Sequence, residues 1–210
     1  MTWSKGKVAV VMGVAGLGGL LMVVTEGCHE SKSGKPVVIE GIPKDWSIMS
    51  RGTDQWDWTN NTFVGHTTNG DSILASLQKY GDVTISGMLS TTNREASLAL
   101  RMQDEGNGYI AVFAPDGTPA AGGGVRITLL RRKSGEEREL VIFKRRKLSG
   151  PGQMEKITFT ARGSRLEVFM NDVSVIRTND STFDSGFIGL RIYGDPNYPC
   201  DGVFSNLTVL

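Results

Sequence analysis

Short runs of apolar and β-branched residues recur about every ten residues from Val37 to the end of the chain. Turn-forming pairs such as Asn69-Gly70 and Asn171-Asp172 separate these runs. Beyond residue 30 no long run shows a clean helical period. About a dozen short antiparallel strands in one domain must stack as two sheets or close into a barrel. We therefore predict an all-β fold.

Alternation within the runs predicts which side chains face the core. In the run SLALRM, Leu98 and Leu100 share one face of the predicted strand, while Ala99 and Arg101 share the opposite face. The leucine face is the natural core face. We therefore expect Arg101 to project away from it, either into solvent, paired with Asp104 or Glu105, or into a groove on a curved sheet.

The N-terminal segment, residues 1–30, differs from the rest of the chain. Lys5 and Lys7 precede Val8–Val24, which carries no charge. A basic start followed by an apolar stretch is typical of a signal peptide, a lipoprotein signal or a membrane anchor. The lysines would hold the N-terminus in the cytoplasm. We therefore predict an exported protein of the cell envelope, membrane-anchored, periplasmic or extracellular, whose membrane contact is this segment.

Two cysteines, Cys28 and Cys200, leave the thiol chemistry open. One disulfide is possible by count, and an exported chain permits it. Cys28 follows Gly27, as a lipidated cysteine would, so lipidation and a free thiol are alternatives. Residues 31–36 have the composition of a short flexible linker, and residues 37–210 form the predicted β domain.

Charge and motifs exclude several classes of function. Lys and Arg number 23 and Asp and Glu number 22, so no global field points to nucleic acid as a partner. The chain has no His/Cys cluster with zinc spacing, no phosphate-binding loop and no Gly-x-Ser-x-Gly elbow. We expect neither a metal nor a cofactor.

A basic hairpin is predicted from VRITLLRRKSGEERELVIFKRRK. If the Ser-Gly-Glu-Glu sequence forms the turn, Arg132 faces Glu139 and Arg126 faces Arg145. Such a hairpin is either a charged sheet edge that prevents aggregation or a contact for acidic glycans or lipid headgroups. The edge is the simpler interpretation.

Five segments together resemble one known family. The segment KYGDVTISGMLSTTNREASLALRM resembles the tyrosine-glycine-aspartate, strand, turn and arginine-ended strand of the 3-keto-disaccharide hydrolase domain family, formerly a domain of unknown function. Four other segments resemble this family in the same order, from about Trp46 to Leu210: WDWTNNTFVG, EKITFTARGSRLEVFMNDVSVIRTND, SGFIGLRIYG and DGVFSNLTVL. The resemblance implies a concanavalin A-like jelly-roll β-sandwich of two antiparallel sheets.

The resemblance also implies an activity, the hydrolysis of 3-keto-glycosides. The C2 proton of such a sugar is acidified by its carbonyl, so the enzyme needs a base and a group that polarises the carbonyl oxygen. His66 and Glu95 are the catalytic candidates, with Arg101 beside them. The family's strand glutamate is replaced here by Gly87-Met88-Leu89, and its Asn-Ser-Gly by residues 94–97. These departures favour binding over hydrolysis.

A carbohydrate-binding site is predicted from one arginine and four aromatic residues. A guanidinium hydrogen-bonds sugar hydroxyls in a fixed geometry, and aromatic rings stack on the apolar faces of sugars. The predicted substrate-binding residues are Arg101, Trp56, Trp58, Tyr109 and Tyr193; Trp58 and Tyr109 are equally plausible as core. We predict an extracytoplasmic module that binds an oligo- or polysaccharide in a shallow groove. A 3-keto-glycoside hydrolase and a structural cell-surface module are the alternatives.

Overall fold

The structure is a computed structural model that describes residues 44–49, 55–116, 124–146 and 153–210. The predictions for residues 1–30 and for the linker at residues 31–36 lie outside this range. In the described part of the chain, no helix is long and apolar enough to cross a membrane.

The described chain is built from 14 β-strands in two seven-stranded sheets. The strands are β1 (Trp46–Ile48), β2 (Gln55–Thr59), β3 (Thr62–Thr67), β4 (Gly70–Tyr80), β5 (Val83–Thr91), β6 (Glu95–Asp104), β7 (Asn107–Asp116), β8 (Gly124–Lys133), β9 (Glu136–Arg146), β10 (Glu155–Arg162), β11 (Arg165–Met170), β12 (Val173–Asn179), β13 (Gly186–Gly194) and β14 (Cys200–Val209). The first sheet has the order β1-β4-β13-β6-β7-β8-β9, and the second has the order β12-β11-β10-β5-β14-β3-β2. All neighbouring strands pair antiparallel. The predicted all-β sandwich of two antiparallel sheets is confirmed.

The core lies between the two sheets and follows the predicted alternation. Leu98 and Leu100 of the first sheet belong to the same buried cluster as Ile85 and Phe159 of the second sheet, and all four are fully buried. Successive side chains of a strand point to opposite faces, so the residues between these positions point away from the core. Between the bulges of the first sheet, this parity assigns each strand residue to an inner or an outer face.

The outer face of the first sheet carries a second apolar cluster. Ile73 on β4, Ala99 on β6, and Ile110 and Val112 on β7 belong to it and have exposures of 2% or less. Leu130 on β8 extends the cluster toward the edge of the sheet. The middle of the first sheet is thus apolar on both faces.

The first sheet curves toward this outer face. Arg132 on β8 forms an ion pair with Asp71 on β4, with Nη2 and Oδ2 2.5 Å apart. These strands are four places apart in the sheet, so their backbones would lie about 19 Å apart if the sheet were flat. One arginine and one aspartate cannot span that distance together. The outer face is therefore concave.

The hairpin of β8 and β9 differs in register from the sequence prediction. Its turn is the two-residue Ser134-Gly135, with φ of 53° and 83°, which fits the primed turns that the twist of a hairpin favours. Arg132 consequently pairs with Glu137, and Glu139 pairs with Leu130. The predicted Arg132–Glu139 pair was wrong because it assumed a four-residue turn.

Candidate functional site

A charged cluster lies on the concave face of the first sheet. Its members stand on five strands at positions that point away from the core: Asp71, Glu95, Arg126, Arg132, Glu137, Glu139 and Arg191. Charged residues are rarely buried without a partner. We therefore ask which contacts hold seven charged residues on the concave outer face of this sheet.

Arg191 is the buried centre of the charged cluster, with only 2% of its surface exposed. Its Nε donates to Oδ1 of Asp71 at 2.6 Å, and its Nη1 donates to Oε2 of Glu95 at 2.9 Å. A guanidinium has five fixed donors, which suits two carboxylates on either side. Arg191 thereby fixes the positions of Asp71 on β4 and Glu95 on β6.

Arg132 is the second buried arginine, and it connects the far side of the concave face. Its guanidinium donates to the carboxylate of Glu137 and to the backbone carbonyl of Glu105, the latter at 3.0 Å. Burial lowers the pKa of Arg132, but the carboxylates of Asp71 and Glu137 raise it by more, so the pKa lies above its usual value. The side chain is permanently charged and holds the two carboxylates in place.

A cavity of about 240 Å³ opens among these side chains. It is lined by Glu95, Val112, Arg126, Thr128, Leu130, Glu137 and Glu139. The floor is apolar at its centre, and the walls carry three carboxylates, one guanidinium and one hydroxyl. A small ligand with both an apolar face and several hydroxyl groups would match such a cavity.

Two of the lining groups have unused hydrogen-bonding capacity. Nε of Arg126 is buried without a hydrogen-bond partner among the described residues, and its Nη2 lies 3.8 Å from Oε1 of Glu95, too far for a hydrogen bond. The side chain of Glu139 is exposed, and its carboxylate has no ion pair or hydrogen bond with the described residues. A buried unpaired donor costs free energy, so a ligand that accepts from Arg126 would recover it.

Two of the residues named from the sequence meet at this site. Tyr193 on β13 pairs in register with Glu95 on β6 and with Asp71 on β4. The guanidinium of Arg191 lies 5.5 Å from the centre of the Tyr193 ring, within range of a cation–π contact. Glu95 is therefore a member of the charged cluster, and Tyr193 borders it.

Arg101 lies elsewhere, in a position that the sequence did not predict. It is 1% exposed, and its guanidinium donates to the carbonyls of Gly81, Gly163 and Phe183 at 2.7–3.1 Å and to Asp82 at 3.3 Å. These acceptors belong to three separate connections between strands. With its donors occupied by backbone, Arg101 joins loops at one end of the sandwich.

A break in the strand explains the direction of the Arg101 side chain. Arg101 has φ of 54°, and the β6–β7 register shifts between Leu100 and Asp104. Such a bulge interrupts the alternation of faces. Gly186 passes so close that a Cβ there would lie 2.5 Å from the carbonyl carbon of Arg101. The expectation that Arg101 shares a face with Ala99 fails for this reason.

Three of the predicted aromatic ligands pack inside the sandwich. Trp56 is 6% exposed, and its Nε1 donates to Oγ of Ser72 across the sheets at 2.6 Å. Trp58 stacks against Phe63 with ring centres 4.3 Å apart. Tyr109 is fully buried. Of the two sequence interpretations for Trp58 and Tyr109, the core position is the one observed.

The hydroxyl of Tyr109 belongs to a polar network beneath the loop after β12. It donates to Oδ1 of Asp180 at 2.6 Å and accepts from the amide of Phe183 at 3.1 Å. Arg131 also donates to Asp180, at 2.8 Å. Burial raises the pKa of Tyr109, and the hydrogen bond to Asp180 raises it further. The hydroxyl of Tyr109 therefore has its hydrogen-bond partners within the protein and needs no ligand to supply them.

His66 and Glu95 lie on opposite outer faces of the sandwich. His66 is on β3 of the second sheet, and its Nδ1 lies 2.5 Å from Oδ1 of Asp201 on the neighbouring β14. Glu95 is on the concave face of the first sheet. The structure therefore does not bring the two predicted catalytic residues together, although it does give His66 a carboxylate partner.

The sequence reasoning missed Arg191 and Glu137, and it considered Arg126 and Arg132 only as part of a basic hairpin, without connecting them with Asp71 or Glu95. A usable signal was present. Polar residues alternate with core residues in EASLAL, RITLL and GLRIY, whereas the outer face of most other strands is apolar or exposed. Which of these polar residues converge depends on strand order, which no local pattern reveals.

The described cysteine and the acidic and histidine side chains were also placed by the structure. Cys200 is a free, fully buried thiol 3.0 Å from Oγ1 of Thr91, and Cys28 lies outside the described residues. Within residues 44–49, 55–116, 124–146 and 153–210, no group of three or more His, Cys, Asp or Glu side chains is placed to hold a metal ion.

Comparison with solved structures identifies the same architecture in carbohydrate-related proteins. The carbohydrate-binding module CBM66 from Bacillus subtilis is similar over 79% of this chain and 94% of its own, with a TM-score of 0.63 and 20% identity. A protein from Parabacteroides distasonis with a proposed glycosyl hydrolase activity is similar over 79% of this chain and 87% of its own, with a TM-score of 0.57 and 10% identity.

A third similar structure is the exoplasmic/lumenal domain of VIP36 in its Ca²⁺/Man-bound form, with a TM-score of 0.59, 8% identity, and coverage of 79% of this chain and 82% of that one. No protein-family model and no curated protein sequence matches this chain. At these identities the similarity establishes the fold, which is the concanavalin A-like lectin and glucanase type that the sequence predicted.

Proposed function

We propose that this domain binds a carbohydrate in the cavity on the concave face of its first sheet. The observation that carries the proposal is the combination of an apolar floor with unused donors and acceptors on the walls of one cavity. Val112 and Leu130 offer apolar contact, Arg126 offers donors, and Glu137 and Glu139 offer acceptors. A sugar ring has hydroxyl groups around its edge and C–H groups on its faces, so it uses all three.

Rigidity supports the proposal as well. A binding site gains affinity when its polar groups are held in position before the ligand arrives, because less conformational entropy is lost. Arg191 and Arg132 are almost fully buried, and they fix Glu95 and Glu137 by charge-assisted hydrogen bonds. The cavity wall is thereby set by groups that do not themselves need to contact the ligand.

The size of the cavity indicates a small ligand unit. At about 240 Å³ it is below the range of roughly 300–1,000 Å³ that is usual for drug-sized ligands. We infer that one sugar ring occupies it. The similarity in fold to CBM66 and to the Ca²⁺/Man-bound domain of VIP36 supports carbohydrate as the ligand class. We also propose that binding takes place outside the cytoplasm, as the N-terminal segment predicts.

The proposal is tested by titration of the full-length protein with glucose, galactose, mannose and fructose. We expect at least one sugar to bind saturably, as measured by isothermal titration calorimetry or by NMR chemical-shift changes. Arg126→Gln should lower the affinity about tenfold or more, because it removes a charge-assisted hydrogen bond to the ligand. Arg138→Gln is the matched control, because Arg138 is exposed on the same hairpin but does not line the cavity. No binding of any of the four sugars, or equal loss in both variants, would contradict the proposal.

Hydrolysis of 3-keto-glycosides is a second candidate, favoured by one observation. Glu95, Glu137 and Glu139 surround the same cavity, and a carboxylate there could take the C2 proton of a keto-sugar as general base. Release of the aglycone from a 3-keto-glucoside by the wild-type protein, and its loss in Glu139→Gln, would establish this activity. Release that is unchanged by that substitution would place the base elsewhere.

A further inference from the structure

An exposed aromatic residue lies on the loop that follows β13, the strand that carries Arg191 and Tyr193. Tyr198 is 54% exposed, although large aromatic side chains bury apolar area wherever the fold allows it. The guanidinium of Arg94 lies over its ring, with Cζ 4.4 Å from the ring centre. One side of the ring is thus supported by protein, and much of the residue remains open to solvent.

The loop that carries Tyr198 is fixed by an unusual number of contacts. Asp195 and Tyr198 exchange backbone hydrogen bonds at 2.8 and 3.2 Å, and Oδ1 of Asp195 accepts from the amides of Asn197 and Tyr198. Oδ2 of Asp195 also accepts from Arg94 at 2.5 Å. Asn93 adds a hydrogen bond to the carbonyl of Pro199 at 2.7 Å. We refer to Arg94, Asp195 and Tyr198 as the aromatic platform.

Other exposed apolar side chains lack this support. Val173, the most exposed valine, and Ile142 are single aliphatic residues on strands, which is ordinary for a protein surface. The aromatic platform differs because Arg94 lies against the ring of Tyr198, while the turn and Asn93 hold the backbone of the loop that carries it. A ring presented from a fixed backbone loses less conformational entropy when it stacks on a ligand.

The aromatic platform is connected through the chain to residues at the cavity. Arg94 directly precedes Glu95, which lines the cavity. Asp195 follows Tyr193 by two residues, and Tyr193 pairs in register with Glu95. The chain segments that carry Arg94 and Asp195 therefore join β6 and β13 at the end of these strands where Glu95 and Tyr193 lie.

We propose that the aromatic platform is a second sugar subsite, so that the ligand is an oligosaccharide or a polysaccharide segment rather than a free monosaccharide. This inference rests on the proposed function. One ring occupies the cavity and is held by hydrogen bonds, while the next ring along the glycan stacks on Tyr198. The cavity selects the sugar unit, and the platform adds affinity for a chain of such units.

The test compares each of glucose, galactose, mannose and fructose with its own linear trisaccharide, using the full-length protein and isothermal titration. For the sugar that binds, we expect the trisaccharide to bind about 3- to 10-fold more tightly than the monosaccharide, the range of a single aromatic contact. Tyr198→Ala should remove that gain and leave the affinity for the monosaccharide unchanged. Tyr198→Phe should keep the gain, because stacking needs the ring and not the hydroxyl.

The outcomes separate this inference from the proposed function. If neither monosaccharide nor trisaccharide binds to the wild-type protein, both ideas fail. If both bind with equal affinity, or if Tyr198→Ala binds the trisaccharide as well as the wild-type protein does, the platform is not a subsite and the cavity alone accounts for binding. A loss of monosaccharide affinity in Tyr198→Ala would also overturn the second subsite, because the ring would then belong to the first.

Discussion

Arg101 and Arg126 should respond in opposite ways to the same substitution. Replacing Arg101 by Met keeps most of the side-chain volume and removes the hydrogen bonds to Gly81, Gly163, Phe183 and Asp82. Hydrogen bonds to charged groups contribute about 1.5–3 kcal/mol each. The acceptor groups lie in turns, where water can replace part of the lost hydrogen bonding. We therefore count about half of 1.5 kcal/mol for each of the four contacts.

The expected loss for Arg101→Met is about 3 kcal/mol in the free energy of unfolding. In a domain of this size each kcal/mol lowers Tm by about 2–4 °C, so Tm should fall by about 6–12 °C. A domain has about 5–15 kcal/mol in total, and the variant should therefore still fold at room temperature. Because Arg101 does not reach the cavity, the folded variant should bind sugar with unchanged affinity.

Arg126→Met is the matched comparison. The Arg126 side chain is 40% exposed, and its ion pair with Glu95 is long at 3.8 Å, so its loss should change the free energy of unfolding by no more than about 1 kcal/mol. Sugar affinity should fall about tenfold or more, because a charge-assisted hydrogen bond to the ligand is removed.

Urea denaturation and sugar titration of both variants give the decisive pattern. We expect a large stability loss with intact binding for Arg101→Met and the reverse for Arg126→Met. If the folded Arg101→Met protein loses sugar affinity as far as Arg126→Met does, Arg101 acts in binding and the assignment made here is wrong. An unchanged free energy of unfolding in Arg101→Met would refute the magnitude derived from its four contacts.

Three further outcomes can be measured on the same protein. The cavity has three carboxylates and one guanidinium on its walls, so glucuronate should bind more weakly than glucose. In titrations with both sugars, Glu139→Gln should reduce this difference in affinity. A preference for glucuronate would contradict this charge argument. Burial raises the pKa of Asp180, but hydrogen bonds from Thr182 and Tyr109 and the charge of Arg131 lower it by more, so the net pKa lies below its usual value. The stabilisation from the ionised Asp180 is present above about pH 4 and is lost as the pH falls through the lowered pKa. Below pH 5 the free energy of unfolding of Asp180→Asn should therefore depend less on pH than that of the wild-type protein. Parallel plots of this free energy against pH would rule out the stabilising role of Asp180. Gly135→Ala, at φ of 83° in the β8–β9 turn, should cost about 1 kcal/mol or more in urea denaturation, and an unchanged midpoint would argue against the two-residue turn.

The fold was predictable because its signals are local. Alternation in runs such as Ser97–Leu100 and the turn residues between runs depend on neighbours in sequence, and they predicted the all-β fold correctly, while the two-sheet sandwich was implied by the family resemblance. The same rule failed one residue later, at Arg101, because a bulge with positive φ reverses the side chain. Nothing in the letters LRM shows that bulge, which is stabilised by the distant Gly186 and by three loops.

The candidate site was predictable only in part, for a related reason. Glu95 and Tyr193 were named from the sequence and do lie in or beside the charged cluster, whereas His66 is on the opposite face of the sandwich. Arg191 was missed because its partners Asp71 and Glu95 are 120 and 96 residues away in the chain. Such contacts follow from the order of strands in the sheet, and that order is set by packing over the whole domain.

The ion pair between Asp71 and Arg132 has a consequence for how a family of such domains can diversify. Neither residue lines the cavity, yet together they hold two strands closer than a flat sheet allows. Asp71 also accepts from Arg191, and Arg132 also donates to Glu137, so a substitution at either position would relax the curvature and also release a group that orients the cavity wall. The width of the cavity and the orientation of its carboxylates are thus coupled through residues that the ligand does not touch.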